Sequence, residues 1–142
     1  QEGACAATRE RVEAAGLRNV TVQQGCHAEM ARGIQPGSAD VICMNLGYLP
    51  TSEDKPATAT GARTTLAAIR GALPGLRPGG LLSVLAYVRH EGGQQECDAV
   101  VEELQALPAR AWLCSSYSLV NRDGAPVLLL AHRLDGDAAG GP

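Results

Sequence analysis

The sequence predicts an α/β fold, with a mostly parallel sheet that closes in an antiparallel hairpin at its C-terminal end. Three observations carry this. Segments of helical and strand period alternate along the chain, which calls for a sheet with helices on both faces. "LLSVLAYV", residues 81 to 88, is almost wholly apolar, as a central strand covered on both faces would be. "NRDG", residues 121 to 124, is a tight-turn sequence between the last two apolar runs, so those runs pair antiparallel.

Each element follows from local chemistry. Residues 4 to 16 are rich in helix formers and stop at Gly16. "NVTVQQG", 19 to 25, reads as a short strand, and 27 to 32 as a brief helix. The turn "QPGSAD" feeds a strand at 41 to 45, and Pro50 and Pro56 punctuate a loop from 46 to 58. Leu66, Ile69 and Leu73 share one face of a helix over 58 to 73. "PGLRPGG", 74 to 80, is a stop before the apolar strand. Cys97, Val100, Val101 and Leu104 form the stripe of the next helix, which Pro108 closes. Strands at 111 to 120 and 126 to 133 end a single domain over 1–134, and 135–142 is expected to be a disordered tail. The first helix begins abruptly at a chain start without Met, as an excerpt of a longer polypeptide would.

Composition narrows the function. Of 142 residues 45% are hydrophobic but only 3% aromatic, with no Phe, so the core is aliphatic. A formal net charge of -3 argues against a general nucleic-acid coat and leaves RNA contact to local arginines. The five cysteines are widely spaced and lie mostly in apolar runs, which fits a reduced compartment rather than a disulfide framework. No apolar stretch approaches the ~20 residues of a membrane span.

In parallel α/β sheets, ligands bind beyond the carboxyl ends of the strands. "GCH" at 25–27, "NLGYLP" at 45–50 and "YVRHEGG" at 87–93 all lie there, and they hold two of the three histidines. Cys26 beside His27 lacks a third orienting residue for nucleophilic catalysis. His27, His90 and Glu91 or Glu96 match no metal-site spacing, so no metal is expected. A transferase acting on an amine suits the set better. An Asn side-chain oxygen and a nearby backbone carbonyl accept the N–H bonds of an unprotonated amine and aim its lone pair. Asn45, the Leu46 carbonyl and Tyr48, whose ring can lie against a planar base, supply these in order, with Gly47 as the joint.

The run "NLGYLP", Asp54–Lys55, a Thr-rich helix start at 58–65, "LRPGG" before a strand, "Y..H.GG..E" at 87–96 and "LP" at 107–108 resembles a family of small bacterial and plastid methyltransferases. These were once labelled rRNA methylases and are linked to methylation of the aminomethyl group on the tRNA wobble uridine. The likeness extends from Gln1 to about Arg133. It implies a Rossmann-like class I methyltransferase fold, S-adenosylmethionine as cofactor, tRNA as partner and no membrane. It also implies a cytoplasmic location, or the plastid stroma in a photosynthetic eukaryote. By the resemblance, Gly25, Cys26 and His27 flank the adenine, and Asn45 and Leu46 belong to the cofactor and acceptor motif. Tyr87, His90, Gly92, Gly93 and Glu96 belong to the loop beyond the next strand, where Tyr87, Gly92, Gly93 and Glu96 would contact the RNA substrate. Arg89 and Glu91 stand where the family has Gly and Pro.

The family's opening strand, its glycine-rich turn and its acid-ended second strand have no counterpart here, so the first two strands of the sheet are expected to be missing. On this reading Asn45 orients the amine, Tyr48 packs on the base, and His90 or His27 takes the proton. Arg63 and Arg70, on one helical face, and Arg89 would contact RNA, and a homodimer would supply further positive surface. The alternatives are an rRNA or small-molecule acceptor, and a non-catalytic remnant.

Overall fold

The computed structural model describes residues 2–47 and 59–135. Residues 48–58, Tyr48 among them, and the tail beyond Asp135 lie outside the described residues. In chain order the elements are α1 (Glu2–Ala14), α2 (His27–Arg32), β1 (Ala39–Asn45), α3 (Ala62–Ala72), β2 (Leu76–Ala86), α4 (Gly93–Gln105), β3 (Trp112–Tyr117) and β4 (Val127–Arg133). A single 3₁₀ turn, Leu73–Gly75, joins α3 to β2.

The four strands are ordered β1-β2-β4-β3. β1 pairs with β2 in parallel, whereas β4 runs antiparallel to both β2 and β3. The sheet is therefore mostly antiparallel, which corrects the mostly parallel sheet expected from the sequence. That expectation counted 19–25 as a parallel strand, but no part of it is in a strand. A groove of about 690 Å³, lined by Gln23, Gln24 and Gly25 on one side and Ile42, Cys43 and Met44 on the other, holds it off the edge of β1.

β2 begins earlier than the apolar run because Leu76 pairs with Ala39. The "RPGG" residues then bulge out, and pairing resumes at Val41–Leu81. Gly79 takes φ +74° in this bulge. At Gly80 a Cβ would sit 2.8 Å from the Arg77 carbonyl oxygen, so the backbone passes itself closely there. The Arg133 guanidinium donates to the Leu76 carbonyl and closes this end of the sheet.

Among the described residues the cover is one-sided, a second correction, to the helices expected on both faces. Leu82, Val84, Ala86, Leu129 and Ala131 are buried together with Ile69 of α3 and Cys97, Val100 and Leu104 of α4. Ala28 and Ala31 of α2 pack with Ala68 and Ala72 of α3 beside Ile42 and Met44. Strand alternation turns the other residues to the opposite face. The register sets Val41 beside Leu81 and His132, Cys43 beside Ser83 and Leu130, and Asn45 beside Leu85 and Leu128. β3 extends these rows with Leu113, Ser115 and Tyr117. None of these residues is buried, and Val41, Leu113 and Tyr117 are 55%, 62% and 66% exposed. α1 buries no residue, and its Cys5 Sγ lies 4.0 Å from the Gln23 carbonyl oxygen.

α3 and α4 are joined at the surface by an ion pair. Arg70 donates through Nε and Nη2 to Glu103 at 2.9 and 2.6 Å. The hydrogen bond from Arg70, ahead of its charge, holds the Glu103 carboxyl below its ordinary value, and the same bond raises the arginine. A depressed carboxylate stabilises the fold above its unfolded pKa, near 4.3 for glutamate, and loses that contribution as pH falls through the folded value. The acid limb of a melting-temperature profile is accordingly expected to flatten in Glu103→Gln, by a small amount because Arg70 is largely exposed.

Candidate active site

Asn45 is the last residue of β1 and lies exposed on the open face, level with Leu85 at the end of β2. Leu46 is buried, 3% exposed, and its N–H donates to the Leu85 carbonyl at 2.9 Å. Gly47 then takes φ +117°, which side-chain-bearing residues rarely adopt. A Cβ added to it would meet the Tyr87 ring at 3.5 Å, so the two strand ends come together here.

The turn at Gly47 is held by Thr60. The Gly47 N–H donates to Thr60 Oγ1 at 2.9 Å, and the Thr60 N–H donates to the Gly47 carbonyl at 2.7 Å. The Thr60 hydroxyl in turn donates to Glu96 Oε2 at 2.8 Å, while Thr65 donates to Oε1 at 2.6 Å. Glu96 is 1% exposed and Thr65 is fully buried. Glu96 lies in the first turn of α4, where the helix N-terminus favours a negative charge. Both carboxylate oxygens are therefore engaged, as a buried charge requires.

Tyr87, Arg89 and His90 follow β2. His90 Nδ1 lies 2.9 Å from the Glu91 carbonyl oxygen, which can only accept, so this nitrogen carries a proton. The ring packs on Gly93, where a Cβ would lie 3.0 Å from Nε2 and would overlap the Tyr87 carbonyl oxygen. Gly92, at φ +78°, caps α4 in open surroundings. Gly93→Ala is thus expected to lower stability by about 2 kcal/mol or more. Gly92→Ala, with strain but no clash, should cost about 1 kcal/mol. Thermal melts of the two variants check the order.

A cavity of about 300 Å³ is lined by Tyr87, Val88, Arg89 and His90 together with Gly124 and Pro126 from the β3–β4 loop. Arg89 lies against Gly124, where a Cβ would meet its Cγ at 2.6 Å. These loop residues are functional candidates that sequence reasoning missed. "NRDG" reads as a turn and gives no signal that it folds toward Arg89.

Gly25 and His27 line the groove beside β1, and Cys26 stands between them at the N-cap of α2. A Cβ on Gly25 would lie 3.3 Å from the Met30 side chain. Cys26 is exposed and His27 half-buried. Arg63 is exposed on α3, while Arg70 is spent on Glu103. The fold thus brings Asn45, Leu46, Tyr87, Arg89, His90, Gly92, Gly93 and Glu96 to one end of the β1–β2 pair. Gly25, Cys26 and His27 lie across the groove. Arg63 and Arg70 lie on α3. Tyr48 is not described. Among the described residues, no group of three or more His, Cys, Asp or Glu could hold a metal. No helix among them is long and apolar enough to cross a membrane.

This strand order, with a parallel pair ending in an antiparallel hairpin and the site at the strand ends, defines a Rossmann-like class I methyltransferase core. A Streptococcus mutans protein, described as a methyltransferase and solved in complex with SAH, is 30% identical and superposes with a TM-score of 0.83. It is matched over 94% of this chain and 72% of its own. A Clostridium thermocellum protein of rRNA-methylase description gives a TM-score of 0.86 at 25% identity, with the same coverage. The family model described as "Putative rRNA methylase" matches residues 1–133, and the chain belongs to that family. A chloroplastic tRNA (mnm(5)s(2)U34)-methyltransferase of Arabidopsis thaliana is 39% identical over 106 residues, 73% of this chain. The chain spans 38% of that relative's length.

Proposed function

We propose that the protein is an S-adenosylmethionine-dependent N-methyltransferase acting on the aminomethyl group of a modified tRNA wobble uridine. The observation that carries this is the meeting of Asn45, Gly47, Tyr87 and His90 at the ends of two parallel strands. It is supported by the 39% identity to a relative named for that tRNA reaction.

The residues present fit the adenine end of the cofactor. Gly25 leaves its space to the Met30 side chain, and Met30, Ile34 and Met44 make the groove wall apolar beside the polar edges of Gln24 and His27. At about 690 Å³ the groove falls in the ~300–1,000 Å³ range of small-molecule pockets. The bound cofactor supplies an electrophilic methyl group on a sulfonium.

The chain's own residues do the rest. The Asn45 side-chain oxygen and the Leu46 carbonyl accept the amine's N–H bonds, which fixes the direction of the nitrogen lone pair. Tyr87, 40% exposed, and Tyr48 offer rings to the planar base. The methylated nitrogen sheds a proton, which His90 or His27 takes. Arg89 and Arg63 are the cations offered to phosphates, and they act in concert with a second copy of the chain. The chloroplastic relative favours a plastid setting, with the cytoplasm as the alternative.

The test supplies the product of the complete coding sequence with methyl-labelled cofactor and three acceptors: tRNA bearing an aminomethyl uridine, rRNA, and a small amine. Label in the tRNA alone is expected. Label in rRNA or the small amine moves the acceptor, and label in none overturns the proposal.

A further inference from the structure

Glu96 is the one acidic residue among the described residues to be buried, and it does not line the cavity formed by Tyr87, Arg89 and His90. We infer that it is a positioning residue: through Thr60 it clamps Gly47 and so fixes the strand end that presents Asn45. This rests on the reading of Asn45 as the group that orients the amine.

The hydrogen bonds have one possible direction. The Gly47 N–H can only donate, so the Thr60 oxygen accepts from it, and the Thr60 proton is left to point at Glu96 Oε2. Thr65 spends its proton on Oε1. The network therefore runs from a backbone amide through a hydroxyl to a carboxylate, and it needs an acceptor at both oxygens of residue 96. A glutamine there offers a single acceptor oxygen and an NH₂ that faces a donor. Thr60 also returns its own N–H to the Gly47 carbonyl at 2.7 Å, so residues 47 and 60 are tied by two bonds.

The clamp joins three elements that are far apart in sequence. Thr60 precedes α3, Thr65 lies in its first turns, and Glu96 lies at the N-terminus of α4, which packs on the covered face of the sheet. Gly47 has no side chain with which to hold its own position, and its φ of +117° leaves the adjoining backbone to be set from outside. Burial gives the network its leverage, because in a low-dielectric site each bond is stronger and each lost partner costs more.

The test compares Thr60→Val, Thr60→Ser and Glu96→Gln in the product of the complete coding sequence, each checked for folding by circular dichroism. Thr60→Val should accelerate amide exchange at Gly47 about tenfold or more and lower kcat about 10- to 100-fold, with cofactor Kd unchanged within about twofold. Thr60→Ser keeps the hydroxyl and should restore both. Glu96→Gln should resemble Thr60→Val; if it fails to fold, the valine–serine pair decides. Wild-type exchange and kcat in Thr60→Val overturn the inference, as does an equal loss in Thr60→Ser. A wild-type protein that transfers no methyl refutes the reading of the site, and the exchange comparison then decides the clamp alone.

Discussion

Asn45→Ala is expected to lower the methyl-transfer kcat by about 100- to 1,000-fold, with cofactor affinity unchanged within about twofold. Asn45 stands exposed at the end of β1, so truncating it removes an acceptor without opening a cavity in the core. Its backbone remains fixed by the β1–β2 ladder and by the Leu46–Leu85 hydrogen bond. The loss should therefore appear in turnover and not in melting temperature. Asn45→Asp separates two roles for the side chain, because a carboxylate accepts hydrogen bonds but adds a charge that favours the protonated amine. A rise in the pH needed for half-maximal rate is the expected signature. Full transfer by Asn45→Ala at unchanged cofactor affinity would remove Asn45 from the mechanism.

The second large effect concerns stability. Leu128 and Leu129 are neighbours of the same type on β4, but they face opposite sides of the sheet. Leu129 is 2% exposed and packs in the core, whereas Leu128 lies half-buried on the open face beside Leu85 and Tyr117. In the 142-residue chain Leu129→Ala should cost about 3–4 kcal/mol, because it leaves a cavity that the sheet and α4 cannot close. That corresponds to a fall of about 10 °C in melting temperature. Leu128→Ala should cost about 1 kcal/mol or less, since little cover is lost. Equal losses at both positions would mean that the Leu128 face is covered in solution.

That open face also shows where sequence reading falls short. The run 81–88 is apolar enough for a strand covered on both sides, yet Leu81, Ser83 and Leu85 are only half-buried. Hydropathy records which residues could be covered, not what covers them. The 19–25 segment has strand composition, but a strand exists only through its partner, and the β1 edge is held apart from it by the groove. Short-range signals fared better. The helix at 27–32 was legible in full, and the α3 and α4 stripes place Ile69, Val100 and Leu104 in the core.

At the candidate site, the convergence of Asn45 with the 87–93 loop follows from strand order alone, because both follow neighbouring parallel strands. The clamp on Gly47 does not. Thr60 and Glu96 are 36 residues apart, and a threonine before a helix reads as an ordinary start signal. Glu96 is buried, with Thr60 on one carboxylate oxygen and Thr65 on the other, and no local pattern announces that network. Arg70 is likewise drawn into a pair with Glu103, which no local pattern announces. The proposed RNA contact therefore rests more heavily on Arg89 and Arg63.

Nucleoside analysis by mass spectrometry tests the central claim most directly. tRNA bearing an aminomethyl uridine at the wobble position is incubated with S-adenosylmethionine and the product of the complete coding sequence, then digested and fragmented. The account predicts one added methyl on the exocyclic nitrogen of that nucleoside and none on its ring or ribose. A methyl on a ring carbon or a ribose oxygen, or no methyl at all, would contradict it.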